Sequence, residues 1–295
     1  MWAHGSLALG DFQPGRSDLD LVALIGAGIT SRQRQELQRT HEMLLGQVPL
    51  ADKVHCAYVV RSQLADVGRS HVTWAHGELL DRVVSPVSRR ELYQGGLCLL
   101  GPAPAAVVPE VTDQELADYI LGDLRDFWYP HTDQPDLWLQ DIWGDLGLLT
   151  LARARVTLQD GRLITKREAL QVLAGLGAPA AVLRDIYHRR YETGPQISQQ
   201  WRARRGFLAR TYIRAGIEQV LALPRALQPS PPLSQALRDP LVFDALPCQR
   251  VWGPPLIRLR RVSGTRILRC VRADRGGTAI ITKAIHAAAS SARFA

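Results

Sequence analysis

Apolar positions follow two different periods along the chain. In the first sixty residues they form short runs rich in β-branched side chains. Leu19 to Ile25, LDLVALI, is nearly continuous and predicts a buried strand. Val54 to Val60, VHCAYVV, predicts a second. Between them, Ser31 to Gln47 carries Leu37, Met43 and Leu44 at helical spacing. Residues 2–6, Trp-Ala-His-Gly-Ser, read as the end of a strand running into a turn. Strand, turn, strand, helix, strand predicts a small mixed α/β domain. Its first strand begins at the second residue, which fits a misassigned or truncated start.

Gly101 to Pro109 holds three prolines among small residues and reads as a linker. Beyond it the period becomes helical. Thr112-x-x-Glu115 and Thr165-x-x-Glu168 are capping-box patterns. Helices are predicted near residues 112–128, 135–158, 165–175, 179–191 and 197–222, which read as a bundle. From Pro224 onward no period survives, and 8 of the 18 prolines fall there with 11 arginines and 11 alanines. This segment reads as a poorly ordered extension, with two alternatives open: out-of-frame translation of GC-rich DNA, or a basic arm for nucleic acid or membrane. The expected class is α+β: a mixed sheet with helices over residues 1–104, an all-α bundle over 110–222, and a basic tail over 223–295.

Charge sharpens this division. A length of 295 residues already suggests two domains. The net charge of +8 would suggest a nucleic-acid partner, but residues 224–295 hold 12 Lys/Arg against 3 Asp/Glu, and the rest of the chain nets −1. Residues 112–145 hold nine acidic residues against the single Arg125. Tyr119, Phe127, Trp128, Tyr129, Trp138 and Trp143 are interleaved with them. Carboxylates beside aromatic faces suit a cationic small molecule and not a nucleic acid. No apolar run reaches 18 residues, so no membrane partner is expected. The four cysteines form no CxxC, and no leader pattern is visible, so a cytoplasmic protein with reduced thiols is expected.

The candidate chemistry lies in the first domain. Asp18-Leu19-Asp20 opens the buried strand. Residues i and i+2 of a strand share a face, so two carboxylates stand side by side. They repel unless a divalent cation joins them, and Mg²⁺ commonly takes one or two carboxylates plus phosphate oxygens. Twelve residues earlier lies Gly5-Ser6. Glycine permits close backbone approach, and the serine hydroxyl with the following backbone N–H groups can cradle a phosphate.

Strand, Gly5-Ser6, Asp18-Leu19-Asp20, apolar strand: this series resembles the signature of the nucleotidyltransferase fold of the DNA polymerase β superfamily. Residues 1–222 as a whole resemble the two-domain adenylyltransferases that modify streptomycin and spectinomycin. Leu148 to Arg153 (LLTLAR), Thr157 and Thr165-Lys166 match the start of that family's helical domain. The resemblance implies ATP as co-substrate and two Mg²⁺ ions on Asp18 and Asp20. It implies phosphate contacts from Gly5, Ser6, Arg153 and Lys166, with Tyr191 near the nucleotide. It implies transfer of AMP to a hydroxyl of an aminoglycoside-type antibiotic by a monomer with both domains contributing.

The chain departs from the family at two places. Where the family has a glutamate base, this strand offers His55 first and Asp52 second. Glu78 matches a family glutamate, but Leu79 stands where the family's sugar-stacking tryptophan would be, leaving Trp74 as a substitute or, as an aromatic in a strand, a core residue. Asp136, Asp141 and Asp145 occupy the stretch where the family holds its substrate, Asp141 being the first choice. Two alternatives stay open: another acceptor, protein or tRNA, or an inactive nucleotide-binding homologue.

Overall fold

The two strand-like runs pair directly and in parallel. In the computed structural model, which describes residues 1–193 and 197–222 with the backbone of 256–262 and 265–271, β1 (Trp2–Ala3), β2 (Leu19–Ile25) and β3 (Val54–Val60) lie together in one sheet. Two unanticipated strands, β4 (Ser70–Ala75) and β5 (Glu78–Val83), extend one edge, and β6 (Leu97–Cys98) closes the other. The order is β5-β4-β3-β2-β1-β6. Only β2 and β3 run parallel, joined through α2 (Ser31–Gln47), and the other pairs are antiparallel.

Alternation along β2 decides which residues face which layer. Leu19, Leu21, Ala23 and Ile25 face one core with Cys56, Tyr58, Trp74 and Leu37 of α2. Val22 faces the other with Trp2, Val59 and Leu92 of α3 (Pro86–Gly95). The even positions of β2, and with them Asp20, therefore belong to the α3 side. The hairpin β4–β5 escaped the periodicity because β5 presents an exposed outer strand, and β4 buries the polar His71 and Thr73. The proline-bearing stretch read as a linker folds back on the sheet. The Trp2 indole N–H donates to Pro102 O at 2.8 Å, and Val108 is buried beside Trp2.

The first unit comprises Met1–Val111 with the C-terminal strands, and the second begins at Thr112. The second is helical. Thr112 caps α4 (Asp113–Asp123) and Thr165 caps α7 (Lys166–Gly175), each through a complete capping box. Helix α4 runs through a π-turn at Leu124–Trp128 into the short α5 (Tyr129–His131). The segment expected as one helix over 135–158 is instead a 3₁₀ stretch, Pro135–Leu139, a break at Gln140, and α6 (Asp141–Asp160). Helices α8 (Ala180–Tyr191) and α9 (Gln199–Ala222) complete the unit. Small residues let α9 approach closely. A Cβ on Gly206 would lie 2.6 Å from the Trp138 carbonyl oxygen, and one on Gly216 would lie 2.4 Å from Leu151 Cδ2.

Within the segment predicted as a poorly ordered tail, β7 (Leu256–Val262) and β8 (Thr265–Val271) pair antiparallel. The remainder of that tail lies outside the described residues.

Candidate active site

Sheet topology assembles the first cluster. Strand β1 runs antiparallel to β2, with Ala3 opposite Leu21. The chain therefore leaves β1 beside the start of β2, where the His4 N–H donates to Asp20 O at 2.9 Å. The next residues form the one-turn α1 (Gly5–Ala8), with Leu9 N–H bonded to Gly5 O and Asp11 N–H to Ser6 O. Gly5 has φ +63, and a Cβ there would fall 2.4 Å from Asp20 Oδ2. Only glycine meets both constraints, and the turn is pressed onto the carboxylate.

On the other side of β2, parallel register sets Asp20 directly beside His55. Neighbours in register share a face, so Asp20 and His55 stand together, and Asp18, just before β2, is close enough to act on the His55 charge. His55 Nδ1 lies 3.8 Å from Asp20 Oδ1, beyond hydrogen-bond range. Burial is the largest influence on His55 and lowers its pKa, with Asp18 opposing and His76, Arg82 and Lys53 assisting. The lowered pKa favours the neutral imidazole near pH 7. Asp52 is exposed on the turn Ala51–Lys53, 3.8 Å from Lys53 Nζ. Of the two candidate bases, the register sets His55 beside Asp20.

The hairpin turn adds a residue that sequence reasoning passed over. His76 and Gly77 both have positive φ, +55 and +84, as a tight two-residue turn requires. Strand β4 ends beside the start of β3, with Trp74 opposite Cys56. The His76 ring therefore packs edge-on against His55, 4.6 Å between centroids. Glu78 follows on the exposed start of β5. The signal available was His-Gly between two strands.

Trp74 is corrected to a core residue. It is 1% exposed and stacks on His41 at 4.5 Å, in the core on the opposite side of the sheet from Asp20. It has no face left for a ligand.

The second unit gathers its own basic group. Arg153, on α6, donates from Nε to Ile164 O at 3.1 Å, just before Thr165 and Lys166. Lys166 opens α7. The next residue, Arg167, lays its guanidinium 3.9 Å from the Tyr191 ring centroid and 5.8 Å from that of Tyr187. Arg167, which the sequence reading did not single out, thus stands next to Lys166 in the chain and packs on Tyr191.

The acidic candidates are differently placed. Asp136 is exposed on the Pro135–Leu139 stretch. Asp141 meets Arg205 at 2.6 Å, and Arg205 reaches Asp185 at 3.2 Å. Asp145 and Asp185 both pair with Arg189. Burial is the largest influence on Asp145 and raises its pKa against the opposing pull of Arg189. The arginines of α8 and α9 thus pair with Asp141 and Asp145, two of the nine acidic residues of 112–145. Among the interleaved aromatics, Trp128 and Trp138 are buried, while Phe127 is 44% exposed and stacks on Trp143.

No family model matches the chain, and no curated protein matches it by sequence. Among solved structures it is similar to a spectinomycin adenyltransferase from Enterococcus faecialis, solved with ATP and spectinomycin. The TM-score is 0.55 at 13% identity, over 74% of this chain and 90% of that one. The chain has a nucleotidyltransferase-like fold.

On a nucleotidyltransferase-like fold the donor set can be tested against a cation. Asp18, just before β2, and Asp20 offer hard oxygen ligands, and a Cβ at Gly5 would fall 2.4 Å from Asp20 Oδ2. Among the described residues, no group of three or more His, Cys, Asp or Glu is arranged to hold a metal ion. Two carboxylates leave most positions of an octahedral ion to water and phosphate, the usual arrangement for Mg²⁺. The residues fit Mg²⁺ brought with a nucleotide better than a resident metal. No described helix is long and apolar enough to cross a membrane.

Proposed function

We propose that the chain is an ATP-dependent nucleotidyltransferase that moves AMP onto the hydroxyl of a small cationic acceptor of the aminoglycoside type. The observation that carries the reading is the constellation of Gly5, Asp18, Asp20 and His55 on a nucleotidyltransferase-like fold. The similarity to an adenyltransferase solved with ATP and spectinomycin supports the choice of nucleotide and acceptor class.

Asp18 and Asp20 would hold Mg²⁺, which when bound neutralises phosphate charge and favours in-line displacement. The Gly5–Ser6 turn offers backbone N–H groups and a hydroxyl to the phosphates. Arg153 and Lys166 are the proposed cationic phosphate contacts, and Tyr191 the proposed nucleotide neighbour. His55, neutral because buried, accepts the proton of the acceptor hydroxyl at Nδ1 or Nε2. The hydroxyl oxygen then forms its bond to the α-phosphorus, and the bond to pyrophosphate breaks. Asp52 is the second choice for this proton. Glu78, beside the His76 turn, and the exposed Asp136 are proposed acceptor contacts. We assign the protein to the cytoplasm as a monomer.

The pairing of Asp141 and Asp145 with arginines favours a second reading of the acceptor alone. A site whose carboxylates are already paired suits a less cationic hydroxyl compound, with the same chemistry at phosphorus.

The test is incubation with ATP, Mg²⁺ and a panel of aminoglycosides and neutral aminocyclitols, followed by mass spectrometry. A mass gain of one AMP on a panel member supports the reading. ATP binding with no AMP on any acceptor, protein and tRNA included, would instead mark an inactive homologue.

A further inference from the structure

The pair His4–Glu91 has no part in the chemistry above, yet it is buried where charge is costly. His4 Nδ1 and Glu91 Oε2 lie 2.9 Å apart, with side chains only 13% and 8% exposed. Glu91 comes from α3, 87 residues along the chain. Replacing such a pair by apolar residues is often neutral or stabilising, so stability alone does not account for it. Its position does suggest a role. His4 is the residue before Gly5, its backbone N–H is bonded to Asp20 O, and Gly5 rests on the Asp20 carboxylate.

We propose that Glu91 is a positioning residue that anchors the Gly5–Ser6 turn through the His4 ring, fixing the turn's N–H groups for a nucleotide triphosphate. The anchor restrains the turn from one side while the β1–β2 ladder restrains it from the other. Losing it frees the turn without touching a group that meets substrate. The role in nucleotide binding rests on the function proposed above, but the anchoring itself does not.

The experiment compares full-length wild type, Glu91→Leu and Glu91→Gln. Glutamine keeps an acceptor oxygen for the His4 ring and guards against a variant that fails to fold. Amide exchange reads the turn directly, because Leu9 N–H is bonded to Gly5 O and Asp11 N–H to Ser6 O. In Glu91→Leu both amides exchange about tenfold faster, the factor for one lost hydrogen bond to a charged group, while β3 amides keep their rates. KM for ATP rises by about the same factor with little change in kcat, and Glu91→Gln recovers most of both. Unchanged exchange at Leu9 and Asp11 in Glu91→Leu overturns the anchor. So does failure of Glu91→Gln to restore slow exchange. Faster exchange with an unchanged KM overturns the role in nucleotide binding. A wild type that transfers no AMP sinks the functional reading, and the exchange rates still decide the anchor.

Discussion

Acid should loosen the first unit through one buried histidine, and the size of the effect follows from its surroundings. His41 lies on α2, 2% exposed, stacked on Trp74 and bonded through Nε2 to the Tyr58 hydroxyl at 2.7 Å. Burial lowers its pKa from 6.5 to about 4. Above pH 6.5 neither the folded nor the unfolded chain protonates this ring, and its contribution is complete. As pH falls below 6.5 the unfolded chain binds a proton that the folded chain refuses, so stability drops until pH reaches about 4. At about 1.4 kcal/mol per unit, the loss over this window is about 3 kcal/mol.

His41→Phe removes the titrating group and keeps an aromatic face for Trp74. It leaves the Tyr58 hydroxyl without this partner, which costs about 1–3 kcal/mol at pH 8. The expected signature is a crossing of the two stability curves. The variant is weaker at pH 8 and equals or exceeds wild type near pH 4. The two units need not unfold together, so the assay is urea unfolding followed at β3 amides by hydrogen exchange, corrected for intrinsic rates, from pH 8 to pH 4. Parallel curves across that range would refute the reasoning.

Three further outcomes are expected. Asp20→Asn should reduce AMP transfer by about a thousandfold or more, while the thermal midpoint stays level or rises through relief of repulsion with Asp18. A variant that keeps its turnover would remove Asp20 from the metal assignment. Gly5→Ala places a Cβ 2.4 Å from Asp20 Oδ2 at a positive φ. The φ alone costs about 1–2 kcal/mol, and transfer should fall with stability; normal values for both would mean the turn lies elsewhere. Asp185→Ala strips Arg189 and the fully buried Arg205 of a shared partner and should cost about 3–5 kcal/mol. Calorimetry showing a loss under about 1 kcal/mol would mean the two arginines find other partners.

Local signals in the sequence were strong wherever one element sufficed. The β-branched runs at 19–25 and 54–60 appear as strands with those bounds, and both capping boxes appear as helix starts. Periodicity failed where burial was uneven. The outer strand β5 has an exposed burial pattern, and β4 hides polar side chains. Gln140 broke a predicted helix because α6 starts there on a fresh N-terminus after a 3₁₀ stretch. Charge was legible as a count but not as a field. Three of the nine acidic residues of 112–145, Asp133, Asp141 and Asp145, meet arginines from 214, 205 and 189, far along the chain.

The candidate site divides in the same way. Asp18 and Asp20 were legible as a pair in the sequence through the strand repeat of two, while the structure starts β2 at Leu19, with Asp18 just before it. The need for glycine at position 5 was readable only as a permission. The structure supplied its reason, the Asp20 carboxylate beneath the turn. Which base stands beside those carboxylates depends on the register between β2 and β3, and a shift of one residue would have turned His55 to the opposite face. That register, the approach of His76 from the hairpin and the pairing of His4 with Glu91 join residues 21 to 87 positions apart. Nearest-neighbour patterning determined strands β2 and β3, the two capping boxes and the spacing of the two carboxylates. Contacts across the sheet and between helices are fixed by packing and register, and only the tertiary structure decided them.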